Sequence, residues 1–170
     1  MLQNAKLLTA PIFLALVAAC ASHAVSDVQI TEIEPDALPS SVTEAIAAER
    51  ADFTIEEVLQ KIRDGRTYYD VEGEIADGSE LEFDVLMGDD GSAEIVEIQR
   101  DLEWSEIPAE VQVQALIASD GVLPVRIIES VQTDGAVIYE LFAEGNPADP
   151  AYEVRVHAGE VETLSERWIH

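Results

Sequence analysis

Covalent catalysis needs a nucleophile held beside a base, with a third group orienting that base, and this chain is short of candidates. It has three histidines and one cysteine. Cys20 closes an apolar N-terminal run, His23 follows it closely and His170 is the last residue, so His157 is the one histidine inside a segment with strand character. A lone histidine cannot supply the paired ligands that zinc sites use, and there is no glycine-rich phosphate loop. Carboxylates are the abundant group: 35 Asp and Glu stand against nine Lys and Arg, a formal net charge of −26. With so many acids, close pairs are unavoidable, so inventory alone leaves a glycosidase-like acid and base open without giving it a signature. Asp84 and Asp89-Asp90-Gly91 hint at calcium, but the order of an EF-hand loop is absent and a hairpin turn accounts for the same residues. The sequence predicts no catalytic residue, no metal site and no cofactor.

The acidic field bears on partners. It repels nucleic acid and anionic lipid surfaces and favours a protein with a basic surface, or weak association with divalent cations. Solubility, or adaptation to a salty medium, explains the same charge. Tyr68, Tyr69, Tyr139 and Tyr152 are the amphipathic side chains that protein interfaces favour, and they are the candidate partner-binding residues. Packing is the competing explanation for them, as it is for Trp104 and Trp168.

The cysteine has a chemistry of its own. Lys6 begins a short positive region, and Leu7 to Ala19 is an almost unbroken apolar run containing Pro11. Such a run has the form of a secretory h-region and is too short for a permanent span. It ends in Val17-Ala18-Ala19-Cys20, which resembles the lipobox of bacterial lipoproteins. That resemblance implies cleavage before Cys20, acylation of its sulfur and anchoring through several acyl chains. Ordinary signal cleavage after Ala21 or Ala24, giving a soluble periplasmic or secreted protein, is the alternative. Ala21 rather than Asp after the cysteine implies the periplasmic face of the outer membrane in a Gram-negative cell. Without Lys6 the chain keeps eight basic groups against 35 acids, a net of −27.

The remainder repeats itself. Leu38-Pro39-Ser40-Ser41-Val42 is echoed by Ile107-Pro108-Ala109-Glu110-Val111, and Asp64-Gly65-Arg66-Thr67-Tyr68-Tyr69-Asp70-Val71 by Asp134-Gly135-Ala136-Val137-Ile138-Tyr139-Glu140-Leu141. Leu81-Glu82-Phe83-Asp84-Val85 is matched by Tyr152-Glu153-Val154-Arg155-Val156. Each half predicts a short helix after its proline, with Val42, Ala45 and Ile46 or Val111, Ala115 and Leu116 on one face, and Ser41 with Glu44 as a capping box. Asp-Gly turns at 64–65, 77–78, 90–91 and 134–135 then separate three or four antiparallel strands. Ile55, Val58, Leu59 and Ile62 have helical spacing, with Thr54 and Glu57 as a second capping box, yet the matching Pro124 to Val131 is β-branched; strand is the reading for both. Val28, Ile30 and Ile33 offer one edge strand.

This order of Leu-Pro, short helix, Asp-Gly, Tyr-x-Val, strand, Asp-Gly and strand resembles the PepSY-like group, whose tandem form is similar to the β-lactamase inhibitor protein fold. The resemblance runs from Leu38 to the C-terminus. It implies an α+β fold in which two tandem helix-plus-antiparallel-sheet repeats form one continuous curved antiparallel sheet with helices on one face. It also implies a protein-binding or inhibitory module rather than an enzyme. The longer turn at Asn146 to Pro150, and Ala158-Gly159 in place of an Asp-Gly, depart from the first half. The organisation expected is a signal peptide over 1–19, a lipidated Cys20 with tether over 20–36, and repeats over 37–104 and 105–170. The function expected is a non-enzymatic lipid-anchored envelope protein with a protein partner; an acidic cation-binding or structural envelope protein is the competing reading.

Overall fold

Short β-branched segments punctuated by Asp-Gly pairs leave the backbone one economical solution, which is to pair each strand with the next. The computed structural model describes residues 28–146 and 149–166 and has that organisation. Nine strands form a single sheet in strict chain order: β1 (Gln29–Glu32), β2 (Thr54–Arg63), β3 (Arg66–Glu74), β4 (Glu80–Met87), β5 (Ala93–Asp101), β6 (Arg126–Gln132), β7 (Val137–Phe142), β8 (Tyr152–His157) and β9 (Glu160–Thr163). Every neighbouring pair is antiparallel. Helix α1 (Ser40–Glu49) connects β1 to β2, and α2 (Ala109–Ala118) connects β5 to β6, so the class is α+β.

Both helices lie on one face of the sheet, which follows from register. Val71 and Phe83 on β3 and β4 are opposite each other in the core under α1, and Phe83 is opposite Ile98 of β5. Ile98 is in turn opposite Val131 of β6, whose neighbour two and four positions back, through Glu129, is Ile127, a member of the core under α2. Side chains directly opposite, or two apart along a strand, share a face. The first core gathers Val42 and Ile46 of α1 with Val58, Tyr69, Val71, Phe83 and Val85. The second gathers Val111 and Ala115 of α2 with Ile127, Tyr139, Leu141 and Val154, and Trp104 packs against it. Each fully buried aliphatic side chain contributes about 1.5–3 kcal/mol.

The stretch with helical spacing is strand β2. Its Val58 is fully buried on the helix side, while Leu59, directly opposite Asp70, points to the other side. A bulge between Ile55 and Glu57 resets the alternation, which returns Ile55 to the core despite its odd spacing from Val58. Gly73 stands opposite Ile55 here, and a Cβ on it would come within 2.0 Å of the Thr54 carbonyl oxygen and 2.8 Å of the Phe53 ring. Only glycine fits so close an approach.

Neither capping box forms. Pro39 is the N-cap of α1, with no side-chain cap hydrogen bond, because Ser40 and Ser41 are already inside the first turn, and Thr54 to Glu57 is strand. The turns follow expectation more closely. Asp64 and Gly65 have φ of 52° and 76°, the left-handed pair that a two-residue hairpin needs. Ala158-Gly159, which lacks the aspartate, has the same backbone, with φ of 51° and 85°. Pairing of β8 with β9 holds Ala158 there against an intrinsic cost of about 1–2 kcal/mol.

Candidate functional site

The face opposite the helices carries the feature that composition could not locate. On β3 and β4, acids alternate with apolar residues: Asp70, Glu72 and Glu74 on one strand, Glu80, Glu82 and Asp84 on the next. The alternation that sends Tyr69, Val71, Phe83 and Val85 under α1 sends all six acids to the uncovered side. Register then stacks them across strands. Glu57, Glu72 and Glu82 stand directly opposite one another over β2, β3 and β4. Beside them, Asp70, Asp84 and Glu97 do the same over β3, β4 and β5. Further along, Glu140 opposes Glu153 across β7 and β8.

Like charges directly opposite destabilise a sheet unless something offsets them. Part of the offset is visible. Lys61 of β2 pairs with Asp70, whose side chain is 4% exposed, and this is a close ion pair. Glu97 is buried and accepts hydrogen bonds from the Ser130 hydroxyl and, at 2.9 Å, from Gln99; Gln132 donates to the Ser130 hydroxyl at 2.6 Å. At the chain-reversing end, Arg126 makes a bidentate pair with Asp101 at 2.9 and 3.1 Å. Arg155 reaches Glu162 at 3.2 Å.

Between the Glu57, Glu72 and Glu82 row and the Asp101–Arg126 pair the face is indented. A groove of about 300 Å³ is lined by Glu57, Glu72, Glu82, Gln99, Asp101 and Arg126. Glu82 is its most perturbed group. Burial first, then the Glu72 carboxylate opposite it, push its carboxyl up to about 7, with Glu97 and Asp84 adding to the effect and Lys61 opposing it. Chemically, the arrangement can hold a cationic group against several carboxylates, and at Glu82 it can keep or release a proton near neutrality.

That shift carries a stability prediction. The folded-state pKa of Glu82, about 7, lies above the 4.5 of a free glutamate side chain. Stability is therefore full below 4.5, falls as pH rises between the two values because the unfolded chain ionises first, and is flat above 7. The loss reaches at most about 3 kcal/mol, nearer about 2 once the solvent that still reaches this half-buried group is counted. Glu82→Gln is expected to match the parent protein near pH 4.5 and to exceed it by about that amount at pH 8, in urea denaturation. Equal stability at both values would show that Glu82 ionises freely.

The sequence-derived candidates fall on different surfaces. Tyr69 and Tyr139 are buried on the helix side, Tyr69 accepting a hydrogen bond from Gln60 at 3.0 Å and Tyr139 donating one to Glu129 at 3.1 Å. Burial, then the Glu129 charge, push the Tyr139 hydroxyl pKa upward. Tyr152 packs against the second core. Tyr68 alone of the four faces the acidic side, where it is 8% exposed, with the Arg63 and Arg66 guanidinium carbons 5.0 and 5.7 Å from its ring centre. His157 ends β8 opposite Glu160. Cys20, His23, Trp168 and His170 lie outside the described residues. Among the described residues no group of three or more His, Cys, Asp or Glu side chains could hold a metal ion, and no helix is long and apolar enough to cross a membrane.

The carboxylate rows had a signal in the sequence: acids at every second position of two consecutive strands. Compared with known proteins, the chain matches no family model, and neither a curated protein nor a solved structure is significantly similar to it.

Proposed function

We propose that this chain is a lipid-anchored protein of the bacterial cell envelope, made of two tandem PepSY-like units, that holds a protein partner with a basic surface and catalyses no reaction of its own. The observation that carries the reading is the row of Glu57, Glu72 and Glu82, accessible beside the buried Asp70, Asp84 and Glu97, on a sheet face that neither α1 nor α2 covers. Opposed carboxylates of this kind are relieved by a cationic surface laid across them, and the groove gives Lys or Arg side chains room to enter.

Two further features support the architecture. After each helix come four consecutive antiparallel strands, and residues about seventy apart play like parts: Val42 and Val111 on the buried faces of the helices, Tyr69 and Tyr139 on the third and seventh strands, Asp70 and Glu140 on the side away from the helices. Anchoring rests on Val17-Ala18-Ala19-Cys20, and Ala21 favours the periplasmic face of the outer membrane.

The test has two arms. Intact mass of the protein from its native membranes should begin at Cys20 and include acyl chains, and Cys20→Ser should lose both the lipid and detergent partitioning. Crosslinked pull-down from the same envelopes should recover one dominant basic protein with the parent chain, and lose it with Glu72→Lys combined with Glu82→Lys. Recovery unchanged by those substitutions would overturn the binding face. No dominant protein, together with a divalent-dependent rise in melting temperature beyond that of matched ionic strength, would replace it with a cation-binding envelope protein.

A further inference from the structure

The two helices bury equivalent inward faces but present different outward ones. On α1, Glu44, Ala47, Ala48 and Glu49 are exposed. On α2, the exposed positions are Ala109, Glu110 and Ala118 together with Val113, 58% exposed, and Ile117, 68% exposed, one turn apart. The backbone then closes the helix end, with the Gly121 amide donating to the Leu116 carbonyl at 2.8 Å, and Val122, Leu123 and Val125 follow, each more than half exposed. Five aliphatic side chains this open, two on α2 and three in the segment after it, offer apolar surface on the order of 300–600 Å², the range of the largest and often functional patch of a monomer.

We propose that α2 and the segment after it form a two-fold interface between two copies of this chain. Charge is the first reason. Between Ile107 and Val125 the chain carries two charged residues, Glu110 and Asp120, in a protein whose net charge is −26. A second copy, itself strongly acidic, meets little repulsion along this segment. Direction is the second. The helices and the carboxylate rows occupy opposite faces of one sheet, so joining copies through α2 turns both acidic faces outward and away from each other. Area is the third. Two facing patches of this size remove about 1,000 Å² from water, the lower bound for a specific interface, and their aliphatic composition suits a homodimer core. A strongly basic partner would instead be drawn to the other side of the sheet, so this inference goes beyond the proposed function and does not depend on it.

The interface should strengthen with salt, because screening removes the repulsion between acidic copies and leaves apolar burial intact. Sedimentation equilibrium of the exported protein in density-matched detergent, between about 0.05 M and about 1 M salt, reads this directly. The expected result is a dimer favoured by salt, with a dissociation constant that rises at least tenfold in Ile117→Glu and in Val113→Ser. Both positions are exposed, so melting temperatures at low salt and low protein concentration, where the chain is a single copy, should be unchanged. Glu72→Lys combined with Glu82→Lys should still dimerise, which separates this interface from the partner-binding face. A single copy at every salt concentration would overturn the proposal, as would a dimer indifferent to both α2 substitutions. Binding of a monomer to zwitterionic phosphatidylcholine vesicles, lost in Ile117→Glu, would also overturn it by assigning the patch to a bilayer.

Discussion

Phe83→Ala is expected to lower the unfolding free energy by about 4 kcal/mol, the middle of the range for a large aromatic removed from a packed core. Phe83 is 0% exposed and belongs to β4, between Val71 of β3 and Ile98 of β5. The Phe53 ring meets it edge-on, with centroids 4.9 Å apart and planes at 78°, an arrangement that adds about 0.5–1.5 kcal/mol beyond burial. Backbone pairing in three neighbouring strands and the packing of α1 limit how far the site can collapse around the hole, so most of the cavity term should persist. A loss of this size is a large share of the 5–15 kcal/mol that holds most domains folded. Urea denaturation followed by circular dichroism measures it. Trp104 packs on the second core, so in a Trp168→Phe background its fluorescence reports the other end of the sheet. The continuous β5–β6 pairing predicts that both signals move together in Phe83→Ala. A shift in circular dichroism with Trp104 unmoved would mean that the two cores melt separately.

Lys61→Met should cost about 3 kcal/mol, although the lysine itself is a third exposed. The cost arises from what the substitution leaves behind. One Asp70 oxygen pairs with the Lys61 ammonium; the other, Oδ1, is buried and accepts no hydrogen bond. Directly across the strands lie Asp84 and then Glu97, both buried. Without the ammonium, the Asp70 charge would sit desolvated at the end of a row of acids, a worse state than an exposed broken pair. Asp70→Asn removes the charge while keeping the shape, so in the Lys61→Met background it should recover most of the loss. The double-mutant cycle is expected to give a coupling of about 2 kcal/mol. Additive effects would mean that solvent screens the pair and that the row is held by other contacts. The same experiment bears on function: if Lys61 offsets the row in the free protein, a basic partner laid over the groove should raise the stability of Lys61→Met more than that of the parent chain.

The acidic face therefore carries opposing demands. Burial, and then the neighbouring carboxylates, raise Glu82 toward neutrality, yet a few placed groups, Lys61, Arg126, Ser130 and Gln99 among them, offset part of the row's charge. If the proposed function holds, stability and recruitment of a cationic partner act through the same residues.

Much of this was local information and was legible in the residues. Alternating β-branched segments and Asp-Gly pairs specify antiparallel neighbours, since a two-residue turn can only join adjacent strands. Val42 and Ile46, or Val111 and Ala115, define the inward face of a short helix by spacing alone. Pro39 and Gly73 show the limit. A cap position and a close backbone approach depend on where the next element lies, which spacing does not encode. Tyr68 and Tyr69 make the point most sharply, because adjacent residues on a strand must point to opposite faces, and only the packing of α1 decides that Tyr69 is the one buried beneath it. The bulges after Ile55 and between Asp84 and Val85 shift parity within β2 and β5, so no count along the chain could predict that Glu97 would line up with Asp84 and Asp70. The sequence by itself determined the elements, their order and an overwhelming negative charge; the tertiary structure decided which face carries that charge, because register is a property of paired strands and not of any one of them.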